Sequence, residues 1–229
     1  MPVVDLEVTS LRDLNQMLHE LGQGTNETYF RVINPRGRHA IAAGMNAPVT
    51  VEIDGNAGYY CAGMNEQATV IINGSAGVGV AENMMSGSVR VKGDASASAG
   101  ASGCGGLLVI DGNASGRCGI STRGIEIVVK GSVGHMSAFM AQAGTLVVLG
   151  DAGDALGDSI YEARLFVRGK VKSLGSDCIE KPMSDKHKGR LGKLLAEAGM
   201  NGEVDPGEFK RYGSGRTLYH FHMDNLGAY

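Results

Sequence analysis

The four cysteines of this chain could bind a metal ion or form disulfides. Cys61 and Cys118 are 57 residues apart, three times a 19-residue period that runs through the sequence. In a stacked structure with about 4.8 Å between coils, this spacing separates the two thiols by roughly 14 Å, too far for a disulfide or a shared metal. Cys104 belongs to another column, and Cys178 lies beyond the last repeat. The spacing therefore predicts buried, unreactive thiols.

Histidines could act as bases or metal ligands, but they are scattered along the chain. His39 and His135 occur singly, where packed or solvated side chains are more common than catalytic ones. His220 and His222 place two imidazoles on one side of a strand, which is half of a metal site at most. Neither arrangement predicts a site.

Carboxylates form the catalytic clusters of sugar-cleaving β-helices. Asp54 and Asp111 share a column of the repeat, as do Asp94 and Asp151. The two members of each pair are three coils apart, too far to act on the same substrate bond. Recurrent Gly-x-x-Gly sequences resemble phosphate loops, but another repeat follows each one where a phosphate loop needs a helix. We therefore predict no catalytic, cofactor-binding or metal-binding residue in this chain.

A glycine at every nineteenth position marks the repeated strands that position these residues. Residues four and two before each glycine are aliphatic, and a small apolar residue follows two later. Alternation of this kind is typical of strands, and we expect each glycine to close its strand in a sharp turn, often with positive φ. These structural turn glycines are Gly55, Gly74, Gly93, Gly112, Gly131, Gly150 and Gly169.

A short, fixed period predicts an all-β solenoid, in which each coil is stable only against its neighbours. We expect a single-stranded, right-handed parallel β-helix of about eight 19-residue coils over residues 29–177. Residues 1–28 should form a strand and a capping helix that begins at Ser10 and covers the open end of the stack. Residues 178–229 should form a helix, capped at Ser184 and ending at Gly199, and an extended aromatic tail.

Composition narrows the classes of partner. A net charge of −3 gives no general electrostatic reason to expect binding to nucleic acid or to an anionic membrane. No signal peptide is expected, because Asp5 and Glu7 interrupt the start of the chain, and no apolar run approaches the roughly 18 residues of a membrane helix. We expect a cytoplasmic protein.

The tail is the part of the sequence that most resembles a protein interface. Aromatic residues alternate there with arginine, lysine and histidine, a composition enriched where proteins meet. The predicted partner-interface residues are Phe209, Arg211, Tyr212, Arg216, Tyr219, His220 and Phe221. A tail that folds back over the last coils would explain the same residues, and both interpretations can hold for different residues.

The glycine ladder resembles the family named for its Gly-x-Gly-x-Gly motif, which includes the C-terminal domain of the glutamate synthase large subunit. Both ends of the chain are similar to the small stand-alone β-helix subunits of N-methylglutamate synthases, also called methylamine–glutamate N-methyltransferases. The similar segments are Val4-Asp5-Leu6, Leu11-Arg12-Asp13-Leu14-Asn15, Phe209-Lys210-Arg211-Tyr212-Gly213-Ser214 and Leu218-Tyr219-His220-Phe221.

This resemblance implies a non-catalytic scaffold subunit of a heteromeric glutamate-synthase-like flavoenzyme. One partner would resemble a class II glutamine amidotransferase. The other would resemble the FMN-dependent synthase and carry FMN and an iron–sulfur cluster, while this chain carries no cofactor. Two alternatives stay open at this stage. One is a β-helix subunit of glutamate synthase or of the formylmethanofuran dehydrogenase complex, and the other is a self-contained β-helix hydrolase or transferase.

Overall fold

A computed structural model describes residues 2–22, 24–26 and 28–216. Two α-helices are present in this part of the chain, α1 (Leu11–His19) and α2 (Asp185–Glu197), with one short 3-10 turn at Pro206–Glu208. The strands are β1 (Val3–Asp5), β2 (Tyr29–Ile33), β3 (Thr50–Asp54), β4 (Thr69–Ile72), β5 (Ser88–Val91), β6 (Leu107–Ile110), β7 (Arg123–Val129), β8 (Ala143–Val148), β9 (Arg164–Val167), β10 (Cys178–Lys181) and β11 (Lys210–Ser214).

The strands stack as a parallel β-solenoid, as the 19-residue period predicts. From β3 to β9 each strand pairs in parallel with the residues nineteen positions later, so that Ile53 lies beside Ile72 and Ile72 beside Val91. The eight strands β2 to β9 enclose seven complete turns. A second ladder of parallel bridges begins at Ala57 and Ala76 and continues at the same spacing to Val171. Residues one period apart therefore lie directly above one another on two walls.

The interior is filled by the aliphatic columns that the alternation identified. Val51 and Ile53 in β3 and their equivalents in the later strands are at most 4% exposed. The alanine column on the second wall closes the same core, with Ala57 and Ala76 each 5% exposed. Each coil buries its apolar surface against the coils before and after it, which explains why no single coil would be stable alone.

The N-terminal helix covers the first coil as predicted. Ser10 caps α1, since its Oγ accepts the backbone N–H of Asp13 at 3.1 Å. Leu14 and Leu18 are fully buried against the core, and Asn15 both donates to the carbonyl of Ala40 and accepts the N–H of Ala42. Strand β1 pairs with β2, so the solenoid begins with a strand and a helix in place of an open edge.

The last coil is covered by a strand that runs in the opposite direction. β11 pairs antiparallel with β9 on one side and antiparallel with β10 on the other, so the sheet order ends β9-β11-β10. Part of the predicted aromatic tail is therefore built into the sheet. Tyr212 in β11 is 5% exposed and belongs to the solenoid core.

Helix α2 lies outside the solenoid, on the outward side of strands β6 to β9. Leu191, Leu194 and Leu195 of the helix form a second apolar core with outward-facing strand residues. The strand residues beneath it are Val109, Val128, Val147 and Phe166, each 3% exposed or less. Two glycines weaken this helix, and it is stable because its apolar side is buried on this face of the solenoid.

The turn glycines are required for a reason other than the predicted one. Of the seven, only Gly55 has positive φ, at +130°. At Gly112 an added Cβ would lie 2.7 Å from the carbonyl oxygen of Gly93, one coil earlier, and at Gly169 it would lie 2.3 Å from that of Gly150. The expectation of frequent positive φ was therefore wrong. Glycine is needed in this column because successive coils approach too closely for a side chain.

Candidate subunit interface

The carboxylates considered as catalytic candidates have structural partners. Asp94 and Asp151 lie in the column directly after the turn glycines, where each side chain accepts the backbone N–H of the residue one period later. The Oδ1 of Asp94 accepts from Asn113 at 2.7 Å, and that of Asp151 accepts from Lys170 at 2.7 Å. This hydrogen-bonded column was not predicted from the sequence, although its residues from Asn56 to Asp151 all carry a side-chain oxygen.

Asp111 is held by basic residues from neighbouring coils. Arg90 donates to both of its oxygens, at 2.8 and 3.0 Å, and Lys130 Nζ lies 3.0 Å from Oδ1. Burial alone would raise the pKa of this carboxyl, but the hydrogen bonds from Arg90 and Lys130 outweigh it and hold the pKa below the ordinary 3.8. Arg90 also donates to the carbonyl of Ala198 at the end of α2, so this cluster joins the solenoid to the helix.

Asp54 also forms an ion pair and a hydrogen bond with residues of neighbouring coils. Its carboxylate accepts Nε of Arg31 at 2.6 Å and Nδ2 of Asn73 at 2.9 Å, and a hydrogen bond from Asn73 is the main cause of its lowered pKa. Asp54 and Asp111 therefore do not meet, in agreement with the predicted separation by three coils.

The histidines of the described chain also make contacts within it. The Nδ1 of His39 accepts the backbone N–H of Tyr59 at 2.9 Å, and the two rings stack with centroids 4.4 Å apart. His135 packs over Gly116, whose missing Cβ would lie 2.6 Å from the imidazole. His187 accepts the backbone N–H of Ser184 and so caps the start of α2.

The cysteines are free thiols that do not form a metal site. Burial raises the pKa of Cys61 and of Cys118 to about 12, and that of Cys178 to about 11, so that these thiols are protonated at neutral pH. Within the described part of the chain, no group of three or more histidine, cysteine, aspartate or glutamate residues could hold a metal ion.

The predicted interface residues fall into three groups. Phe209 and Tyr212 are 3% and 5% exposed, because Phe209 packs under α2 and Tyr212 packs in the solenoid core. Arg211 is half-buried and donates to the carbonyl of Pro182, and Arg216 is exposed and pairs with Asp177. Tyr219, His220 and Phe221 lie outside the described residues, and the interface role of all seven stays a prediction.

A cationic cleft between α2 and β9 is the most distinctive surface of the described chain. It encloses about 550 Å³, and none of the described residues lining it carries a carboxylate. A second cleft of about 330 Å³ meets it at Arg164 and is lined by Lys181 and Arg211 as well. The residues lining the cationic cleft are Arg164, Lys186, His187, Gly189, Arg190 and Lys193.

Among the described residues, most positive charges of the cationic cleft have no counter-ion. Arg190 pairs with Glu126, whereas Arg164, Lys186 and Lys193 make no ion pair with any described residue. Burial lowers the pKa of His187, and the charges of Arg211, Arg164 and Lys186 lower it further. This cleft was not predicted from the sequence, although basic residues at 186, 190 and 193 recur at helical spacing.

The chain is similar over its whole length to a curated protein. It is 62% identical over 229 residues, covering all of both chains, to the protein GlxC of Rhizobium meliloti (strain 1021). No protein-family model and no solved structure matches the chain. Neither helix in the described residues is long and apolar enough to traverse a lipid bilayer.

Proposed function

Because this chain belongs to the same family as the protein GlxC, we propose that it shares the glutamate-synthase relationship of that family and serves as a non-catalytic scaffold subunit in a heteromeric glutamate-synthase-like flavoenzyme. The specific enzyme that we propose is an N-methylglutamate synthase, which converts methylamine and glutamate into N-methylglutamate and ammonia. The partners would be a class II glutamine amidotransferase-like subunit and an FMN-dependent synthase-like subunit, in the cytoplasm.

The unbroken stack of coils is the observation that carries this proposal. In the described part of the chain eleven strands form one sheet, so ten spacings of about 4.8 Å give a wall roughly 48 Å long. Every pairing from β3 to β9 keeps the 19-residue register, with one local irregularity in β7. A wall of this kind can fix the relative positions of two larger subunits, and passing a small amine between two sites requires those sites to be held in place.

The described ionisable residues support a scaffold more than a catalyst. The carboxylates of Asp94, Asp111 and Asp151 serve axial hydrogen bonds and ion pairs, and His39 packs against a neighbouring coil. The residues do not fit an iron–sulfur cluster either, because Cys61 and Cys118 lie three coils apart as buried thiols with raised pKa values. We therefore assign the cluster to the synthase-like partner, together with the FMN that the resemblance implies for that partner.

Reconstitution with the partner subunits tests the proposal. The chain should be expressed alone, and also with the amidotransferase-like and synthase-like subunits encoded in the same genome. We expect the isolated chain to be colourless and inactive, and the complex to contain all three subunits and to form N-methylglutamate from methylamine and glutamate. Flavin absorbance or turnover by the isolated chain would contradict the scaffold role.

The identity of the substrate is tested by the same complex. Glutamate formed from glutamine and 2-oxoglutarate, with no N-methylglutamate formed from methylamine, would assign the chain to a glutamate synthase instead. Both assays should use one preparation, so that a difference in subunit content does not imitate a difference in specificity.

A further inference from the structure

We propose that the cationic cleft between α2 and β9 binds an acidic peptide segment of a partner protein. The inference deepens the proposed function and rests on it, because a scaffold subunit needs docking surfaces and this cleft would be one of them. Its contacts would be ion pairs from Arg164, Lys186 and Lys193 to carboxylates of the bound segment.

Positive charge in the cleft is not balanced by the described residues. Arg164 and Arg211 are half-buried, and none of the described residues that line the cationic cleft carries a carboxylate. Burial and the neighbouring charge of Arg164 also lower the pKa of the Arg211 guanidinium. Half-buried like charges repel each other and lose part of their hydration, which destabilises the unliganded chain. A bound anion would relieve both effects.

The spacing of the charges indicates an extended ligand. Lys186 and Lys193 are seven residues apart on α2, which places them about 10 Å apart along the helix axis. A single phosphate ion would reach only one of them. An extended peptide rises about 3.3 Å per residue, so a segment of roughly four residues spans the same distance. Carboxylates at alternate positions of such a segment would face the cleft together.

Net charge favours a short acidic peptide over a nucleic acid. The whole chain carries −3, so a long polyanion that extended beyond the cleft would meet a surface with an excess of carboxylates. Exposed Glu162, which lines the second cleft, and exposed Glu180 in β10 are near examples. A short segment gains the attraction of the cleft without that repulsion.

Binding of a fluorescein-labelled hexaglutamate peptide, followed by fluorescence anisotropy, tests the cleft directly. The test variant is Lys186→Glu with Lys193→Glu. The matched control is Lys170→Glu with Lys188→Glu, which makes the same charge change at two exposed lysines outside the cationic cleft. We expect the test variant to weaken binding at least about tenfold and the control to stay within about twofold of the unmodified chain.

Each result decides the proposal. Equal losses in both variants would indicate general charge attraction and overturn it, as would unchanged binding in the test variant. Tighter binding of a labelled single-stranded oligonucleotide than of hexaglutamate would overturn the proposal and indicate that the cleft binds nucleic acid. Release of the peptide by equimolar inorganic phosphate would also overturn the proposal and indicate that the cleft binds a small anion. Thermal unfolding of both variants should match that of the unmodified chain.

Co-purification separates this inference from the proposed function. If the unmodified chain retains its partner subunits, the test variant should lose one of them and the control should lose none. Retention of every partner by the test variant would overturn the docking role of the cleft while the scaffold function stands. If the unmodified chain retains no partner, the scaffold function fails, and the hexaglutamate measurement still decides whether the cleft binds acidic peptide.

Discussion

The side chain of Asp94 reaches along the axis of the solenoid and accepts the backbone N–H of Asn113, nineteen residues later, at 2.7 Å. Asn113 in turn accepts the N–H of Ser132 at 2.9 Å, and the side chain of Ser132 accepts that of Asp151 at 2.9 Å. The residues directly after the turn glycines therefore form one continuous column of side-chain to backbone hydrogen bonds. Each bond joins one coil to the next at an exposed corner.

Replacement of Asp94 tests how much one bond of this column contributes. Asp94→Ala should lower the free energy of unfolding by about 1 kcal/mol, because the N–H of Asn113 loses its acceptor. Asp94→Asn keeps a side-chain oxygen and should remain within about 0.5 kcal/mol of the unmodified chain. Urea denaturation of the three proteins measures the difference. Equal losses in the two variants would assign the effect to the carboxylate charge and not to the hydrogen bond.

Close approach of the coils makes a second prediction, at Gly112. A Cβ at this position would lie 2.3 Å from Oδ1 of Asp94 and 2.7 Å from the carbonyl oxygen of Gly93, which cannot move without displacing its own coil. Gly112→Ala should therefore destabilise the fold by about 1–3 kcal/mol. Gly189 in α2 has open space around it, and Gly189→Ala should stabilise by up to about 1 kcal/mol. Thermal unfolding measures both, and a neutral Gly112→Ala would contradict the steric explanation.

The repeat made most of the fold predictable. Because the period is constant, the position of one strand fixes the register of the others, and Ile72 lies beside Val91 as the spacing requires. The caps of both helices were also predictable, since Ser10 and Ser184 are followed by apolar residues at helical intervals. The position of α2 could also have been predicted. The outward-facing residue is Arg90 in β5 but Val109 in β6, and the equivalent residues of the later strands are apolar as well.

Features that depend on contacts distant in sequence were not predictable from the repeat. The direction of β11 is set by its pairing between β9 and β10, and no local pattern in Lys210–Ser214 distinguishes parallel from antiparallel. The cationic cleft arises only where α2 meets β9, so Arg164 and Lys186 become neighbours through packing. The repeat also shows where the turn glycines lie, but their close contact with the preceding coil depends on the distance between coils, which a single repeat does not contain.

Asp111 provides a prediction about pH. Its folded-state pKa is lowered, so the stability that it contributes is present above its ordinary value of 3.8 and is lost as the pH falls through the lower folded-state value. At pH 7, Asp111→Asn should cost about 1–2 kcal/mol, since Arg90 and Lys130 lose their shared partner. The difference between the two proteins should shrink below about pH 4. Denaturation at several pH values measures it, with Glu203→Gln as a control at an exposed turn.

A constant difference between the Asp111→Asn and unmodified chains across this pH range would contradict the ion-pair explanation and indicate a packing effect. The control should show no pH-dependent difference, because Glu203 makes no ion pair with any described residue. Added salt should also reduce the contribution of the cluster, since its cations are partly exposed.

Helix α2 should unfold separately from the coils that it covers. Leu195 is 1% exposed in the apolar core beneath α2, and its replacement by alanine should weaken docking by about 2–4 kcal/mol. Since the coils pack around a different core, the amides of β3 to β5 should keep their protection while those of α2 exchange faster. Hydrogen exchange followed by mass spectrometry resolves the two regions.

The matched control for this helix is Leu108→Ala, inside the solenoid on β6. Leu108 is fully buried in the core that runs through the coils, so its loss should lower protection in the strands on both sides as well as in α2. If Leu195→Ala deprotects β3 to β5 as strongly as Leu108→Ala does, the helix and the coils unfold together. In that case the cationic cleft would form and disappear with the whole fold, and a partner bound there would stabilise every coil rather than α2 alone.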